Sequence, residues 1–205
     1  MILDIHTHNF ESDNTTAILD SPHYTPERII SLGIHPWDID NDWEKRFQSI
    51  ETQVANSNVV AIGECGIDRV KSPASIELQK EVFRTLAELA EKVHKPLIIH
   101  CVKAIDEIIA MRKELVPEQP WIIHGFRGKP QQAVQLAKAG LYISLGEQFN
   151  PESAKAIPID KLFIESDESR MPIREIYAEV AAARGTDAAD LERQIGSNTR
   201  IFRAI

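Results

Sequence analysis

The sequence predicts an α/β fold, a distorted TIM (β/α)8 barrel with reduced N-terminal helices, and three observations carry that expectation. Short β-branched or apolar runs alternate with longer amphipathic runs along the whole chain, the pattern of a parallel sheet covered by helices. Eight short runs occur, the number that closes a parallel barrel. Only turn-length segments separate the first three of them, and 205 residues is at the small end for this fold, so its first helices are expected to be missing. An open doubly wound sheet is the competing architecture, but no Gly-rich phosphate loop follows the first strand. No linker, repeat or low-complexity tract interrupts residues 1–205, so one domain is expected.

Taken in order, the strands are expected at residues 2–6, 16–20, 29–34, 58–63, 96–100, 120–124, 141–145 and 161–165. The helices are expected near 41–56, 74–93, 104–115, 130–139, 151–156, 173–184 and 188–203. The second helix has the clearest period: Leu78, Val82, Leu86, Leu89 and Val93 recur at steps of three and four, and Pro96 ends it and opens the next strand.

Composition narrows the class. Hydrophobic residues at 43% and charged residues at 26% are ordinary globular usage. No apolar segment approaches the roughly 20 residues that span a bilayer, and no leader pattern opens the chain, so a cytoplasmic protein without membrane contact is expected. Cys65 and Cys101 are the only cysteines, too few for a disulfide framework. A net charge of -8 argues against a surface that grips duplex DNA through its overall field, but leaves room for positive charge concentrated in a cleft.

Chemistry-bearing residues sit where a parallel barrel builds its sites, at the C-terminal ends of strands. The first run, Ile2-Leu3-Asp4-Ile5-His6-Thr7-His8, places His6 and His8 on one strand face with Asp4 behind them. His35, Glu64, His100, His124 and Asp167 end later runs, so five of the seven histidines fall at such positions. Converging on one rim, His6, His8, Glu64, His100, His124 and Asp167 offer four imidazoles and two carboxylates, a set that suits two divalent ions (magnesium, manganese or zinc) sharing a carboxylate. Glu64 is the natural bridge, because its two oxygens can each face one ion.

These residues carry a resemblance. The chain resembles the TatD-type metal-dependent hydrolases, a branch of the amidohydrolase-like barrels whose studied members are DNases. The resemblance rests on Asp4-Ile5-His6-Thr7-His8, Gly33-Ile34-His35-Pro36, Ile62-Gly63-Glu64-Cys65-Gly66-Ile67-Asp68, Ile99-His100, His124-Gly125-Phe126, Glu165-Ser166-Asp167 and Ser197-Asn198-Thr199-Arg200-Ile201-Phe202, in the family's order. It implies that His6, His8, Glu64 and Asp167 hold one metal, that Glu64, His100 and His124 hold the second, and that His35 lies near the substrate. The chain departs from the family pattern at Asn9, where an aspartate is usual, and at Val102, where an arginine is usual. It also lacks the family's long loop after Asp167.

Asp167 is the candidate general base, with Glu165 and Asp4 one layer deeper as orienting carboxylates. Arg69, Lys71, Lys103, Arg127, Lys129 and Arg170 follow the ligand-bearing strand ends and would form a positive collar that favours a phosphodiester. Lys103 and Arg127 are the candidate replacements for the missing family arginines. Trp37 and Phe126 could stack on a base. Cys65 and Cys101 are expected to turn away from the metals as apolar filler, and His23 and His94 have no expected role. The expected function is a metal-dependent phosphodiesterase, exonuclease-like on single-stranded DNA or RNA. Hydrolysis of a small-molecule amide, ester or lactone is the alternative, and an inactive metal-binding protein the third.

Overall fold

The computed structural model describes residues 2–12, 17–21 and 23–202. Their eight strands form one parallel sheet in chain order: β1 Asp4–Thr7, β2 Ala17–Ser21, β3 Ile30–Leu32, β4 Val59–Asp68, β5 Leu97–Val102, β6 Trp121–Ile123, β7 Tyr142–Leu145 and β8 Leu162–Ile164. Each pairs with the next, and the ring is nearly closed where Thr7 bridges Asp167: the His8 N–H donates to the Asp167 carbonyl (3.1 Å) and the Asp167 N–H to the His6 carbonyl (2.9 Å). The expected strand at 16–20 is present from Ala17, and residue 16 lies outside the described residues.

Among the described residues no helix separates β1, β2 and β3. The helices are α1 Trp43–Gln53, α2 Ile76–Val93, α3 Ile105–Leu115, α4 Pro130–Lys138, α5 Pro151–Ala156, α6 Ile173–Arg184 and α7 Ala188–Gly196. The strands are buried on both faces and the helices on one, as a layered barrel requires. In α2 the buried face is Val82, Phe83, Leu86, Ala87, Leu89 and Ala90, and the Ser75 hydroxyl caps the first turn by accepting from the Leu78 N–H (3.2 Å). The helix ends before Pro96 because His94 takes the left-handed conformation (φ 56°).

Most bounds shift by one to three residues, and two elements differ further from the sequence expectation. The helix expected at 188–203 stops at Gly196 and gives way to a 3-10 turn, Asn198–Ile201. The Asn198 side chain pins that turn by donating to the Ile159 (2.8 Å) and Leu162 (2.9 Å) carbonyls, and residue 203 lies outside the described residues. The fourth strand does not end at residue 63 but runs on to Asp68, with Gly66 opposite His100 and Asp68 opposite Val102. Gly-Glu-Cys-Gly has weak strand propensity, and pairing with β5 overrides it. Only glycine fits position 66, where φ is 146° and a Cβ would overlap the His100 carbonyl.

Candidate active site at the barrel mouth

The extension of β4 puts Glu64 in mid-strand, beneath the mouth rather than at its rim, with the side chain almost fully buried. Its Oε1 lies 2.6 Å from His100 Nδ1, 2.6 Å from His124 Nε2 and 3.1 Å from His35 Nε2. Its Oε2 faces His6 Nε2 (3.3 Å) and His8 Nε2 (3.7 Å). Asp167 Oδ1 closes the second set at 3.8 Å from His6 Nε2 and 3.5 Å from His8 Nε2. All six expected ligand residues therefore meet, and the two Glu64 oxygens divide the imidazoles between them.

Asp167 is held in a left-handed conformation (φ 55°) by the backbone bonds that join it to β1. Asp4 tightens the same turn, its carboxylate accepting from the Ser166 N–H (2.9 Å) and hydroxyl (2.6 Å). Burial pushes Asp4 up to about 6 despite these bonds. Glu165 lies 3.4 Å from His124 Nδ1 and accepts from the Gly125 N–H (2.5 Å). Both carboxylates thus sit behind the inner ring, where the sequence places them.

The electrostatics are those of acids and imidazoles forced together. Burial would raise Glu64, but His124, His100 and His35 hold it well below the usual carboxylate range. His8 is raised to about 9, first by Glu64 and, against partial burial, by Asp20 and Asp167. Burial opposes protonation of His124, yet Glu64 and Glu165 raise it well above an ordinary imidazole. Asp167 is pushed up by burial and by Glu165.

The residues fit divalent metal. Neither ring nitrogen of His6 makes a hydrogen bond although the side chain is wholly buried, and buried polar atoms are rarely left so. Three imidazole nitrogens crowd one Glu64 oxygen that has two lone pairs. Neutral imidazoles and carboxylates are the donors that zinc, manganese and iron accept. Clusters able to hold an ion include His6, His8 and Asp167; His6, Glu64 and His124; and His35, Glu64 and His100.

Two carboxylates escaped the sequence reading. Asp20, next to last in β2, accepts from the Glu64 N–H (2.7 Å) and the Ser31 hydroxyl (3.2 Å), and lies 3.9 Å from His8 Nδ1. The strand-end rule applied to 16–20 would have found it. Asp68 lies 3.1 Å from His100 Nε2 and was hidden by the early end assigned to β4. Burial acts to raise Asp68, but the Trp37 indole, the Lys71 and Val70 N–H groups and His100 together bring it down to about 2.

The mouth opens into a groove of about 960 Å³. Lys71, Lys103 and Arg127 line it, as do the acids Asp38, Asp106, Glu107 and Glu168, so the positive collar is narrower than expected. Arg69 turns aside to pair with Glu107, while Lys129 and Arg170 do not line the groove. His35 belongs to the imidazole cluster itself; its Nδ1 accepts from the Trp37 N–H (3.1 Å), which leaves the proton on Nε2. Trp37 is half-exposed at the mouth, with Lys71 Nζ 4.5 Å from its ring centre, whereas Phe126 is buried in the wall and offers no open face for stacking. Cys101 borders the groove but packs against the core and, among the described residues, belongs to no cluster able to hold an ion, and burial pushes its thiol up to about 12; Cys65 is buried filler as expected.

A parallel barrel that gathers imidazoles around one buried acid at its C-terminal mouth falls in the class of metal-dependent hydrolases of the barrel type. The particular family follows from comparison with known sequences. The model of the TatD related DNase family matches residues 2–203, and the chain belongs to that family. The metal-dependent hydrolase YabD of Bacillus subtilis is 34% identical over 145 residues, 67% of this chain and 57% of YabD. The 3'-5' ssDNA/RNA exonuclease TatD of Erwinia billingiae is 30% identical over 202 residues, 84% of this chain and 77% of that protein. The match thus spans little more than half of YabD and about three quarters of TatD. The crystal structure of YJJV, a TatD homologue from Escherichia coli, has the same fold, with a TM-score of 0.74 at 22% identity over 86% of this chain and 76% of that chain. Among the described residues no helix is long and apolar enough to cross a membrane.

Proposed function

We propose that this protein is a divalent-metal-dependent phosphodiesterase that trims single-stranded DNA or RNA from an end, working as one domain with two ions. His6, His8, Asp167 and one Glu64 oxygen would hold the first ion, and His100, His124 and the other Glu64 oxygen the second. The observation that carries this reading is the division of the imidazoles between the two Glu64 oxygens. Bound there, the ions would lower the pKa of water and polarise the phosphoryl oxygen under attack.

The chain's own groups supply the rest. Asp167 has its Oδ1 against His6 and His8, and its carboxylate takes the proton of the attacking water. His35 lines the groove and lies near the substrate, its Nε2 held 3.1 Å from Glu64 Oε1 and its Nδ1 accepting from the Trp37 N–H. Lys103 and Arg127, on the groove wall, neutralise the phosphates that follow, and the exposed face of Trp37 meets a base. The exonuclease TatD, which covers most of this chain, supports the substrate class. The two free cysteines suit the reducing cytoplasm.

The test assays wild type and Asp167→Asn with manganese, magnesium or zinc against an end-labelled single-stranded oligonucleotide and a panel of neutral esters and lactones. Metal-dependent shortening of the oligonucleotide is expected, reduced by roughly 10²- to 10⁴-fold in Asp167→Asn. Lys103→Ala and Arg127→Ala should raise KM for the oligonucleotide about fivefold each, as loss of a charged contact worth about 1 kcal/mol implies. Turnover of esters alone overturns the phosphodiester reading in favour of carbonyl hydrolysis, and no turnover by metal-loaded protein leaves a binding protein.

A further inference from the structure

Three of the inner imidazoles have a carboxylate on the side away from Glu64, at different distances: Asp20 is 3.9 Å from His8 Nδ1, Glu165 3.4 Å from His124 Nδ1, and Asp68 3.1 Å from His100 Nε2. Asp68 is both the nearest and the most firmly held. Its Oδ1 accepts from the Val70 N–H (2.7 Å) and the Lys71 N–H (2.9 Å). Its own N–H donates to Gln79 Oε1 (2.8 Å), a buried side chain anchored in turn on the Ala74 carbonyl (2.9 Å). Its Oδ2 meets two further donors, the Trp37 indole N–H at 2.6 Å and His100 Nε2.

A carboxylate that already accepts from the Val70, Lys71 and Trp37 N–H groups has no proton to give, so the hydrogen between Asp68 and His100 belongs to the imidazole. That fixes His100 with a proton on Nε2 and its Nδ1 turned to Glu64, 2.6 Å away. The same oxygen fixes the indole, so the ring that forms the groove wall and the ring that faces the buried acid share one anchor.

We propose that Asp68 is the positioning residue for His100, holding its proton on Nε2 and its Nδ1 toward Glu64, and that through the same oxygen it joins Trp37 at the groove mouth to the inner site. The inference rests on the reading of His100 as an ion ligand only for its effect on metal affinity; the Nε2 proton against Asp68 stands whether or not Nδ1 also carries one toward Glu64. Asp68 touches neither ion nor substrate in this scheme. Its loss should weaken the ion held by Glu64, His100 and His124 and leave the ion at His6, His8 and Asp167 in place.

Two measurements test it. Long-range ¹⁵N–¹H correlation spectra of the wild-type imidazoles, recorded on chelator-treated and on zinc-loaded protein, should show His100 Nε2 protonated in both. An Nε2 without a proton in either form overturns the proposal, and this needs no variant to fold. Titration of Asp68→Asn with zinc should show one ion bound about 10- to 100-fold more weakly and the other within about threefold of wild type, the usual cost of losing a carboxylate behind a ligand histidine. Trp37→Phe, which removes the indole donor but keeps Asp68 on His100, should hold both ions within about threefold of wild type while raising KM for the oligonucleotide. Wild-type affinity for both ions in Asp68→Asn also overturns the proposal. If His100→Ala binds both ions normally, the ligand reading fails instead, and the Nε2 proton in chelator-treated protein still decides the role of Asp68.

Discussion

Replacing Glu64 with glutamine removes the negative charge on which the imidazole cluster converges and keeps its shape. The side chain is 3% exposed and its Oε1 contacts His100 and His124 at 2.6 Å each, so solvent does little to screen the change. Removing one partner of a buried ion pair costs about 3–5 kcal/mol. The freed imidazoles can shed their protons, which puts the cost in metal-free protein near the low end, about 3 kcal/mol. In a chain of this size each kcal/mol moves Tm by about 2–4 °C, so calorimetry in chelator should show a fall of about 6–12 °C at pH 7. The Glu64 pKa lies well below 4.5, so its contribution is fully present above that value and is lost as pH falls through the folded pKa; the gap between variant and wild type closes in acid. Manganese at 100 times its dissociation constant adds about 2.7 kcal/mol per site. Wild type should then gain from two sites and Glu64→Gln from one at most. A variant that melts with wild type in chelator and shows the full manganese-induced rise would refute the central place given to Glu64.

The other predictions are shorter. His8 is raised to about 9, chiefly by Glu64, so its contribution to metal-free stability is fully present below pH 6.5 and fades as pH rises to 9. An ion must displace that proton: calorimetric titrations at pH 7.5 in buffers of different ionisation enthalpy should show about one more proton released by wild type than by His8→Asn, and equal release would contradict the assignment. Gly66→Ala forces a Cβ into the His100 carbonyl at positive φ and should cost more than about 3 kcal/mol and disturb zinc binding, whereas Gly196→Ala, with open space around it in α7, should gain about 0.5–1 kcal/mol. Denaturant titration of the two variants checks the contrast, and a wild-type midpoint for Gly66→Ala would show that β4 and β5 can part there without cost.

Much of the fold was legible because burial leaves a local trace. Leu78, Val82, Leu86 and Leu89 repeat at helical steps whatever they pack against, and apolar runs such as Leu97-Ile98-Ile99 mark strands buried on both faces. The six residues that meet at the mouth were legible for a related reason, since a histidine or acid closing an apolar run is conspicuous. The places of Phe126 and Arg69 were not legible, because exposure and partner choice are not periodic: one is drawn into the wall, and the other finds Glu107 on α3.

The sequence by itself determined an alternating parallel architecture and the chemical inventory of the mouth, because strand and helix periods and the residues that end them are local properties. Only the tertiary structure decided which atom faces which. The continuation of β4 to Asp68, the seating of Gly66 against His100, the partition of imidazoles between the two oxygens of Glu64, and the carboxylates of Asp20 and Asp68 behind them all depend on the register of strands. Register depends on how the buried faces of two strands match, and those strands lie up to 35 residues apart, as for Ile62 and Leu97, so it cannot be read from either segment alone.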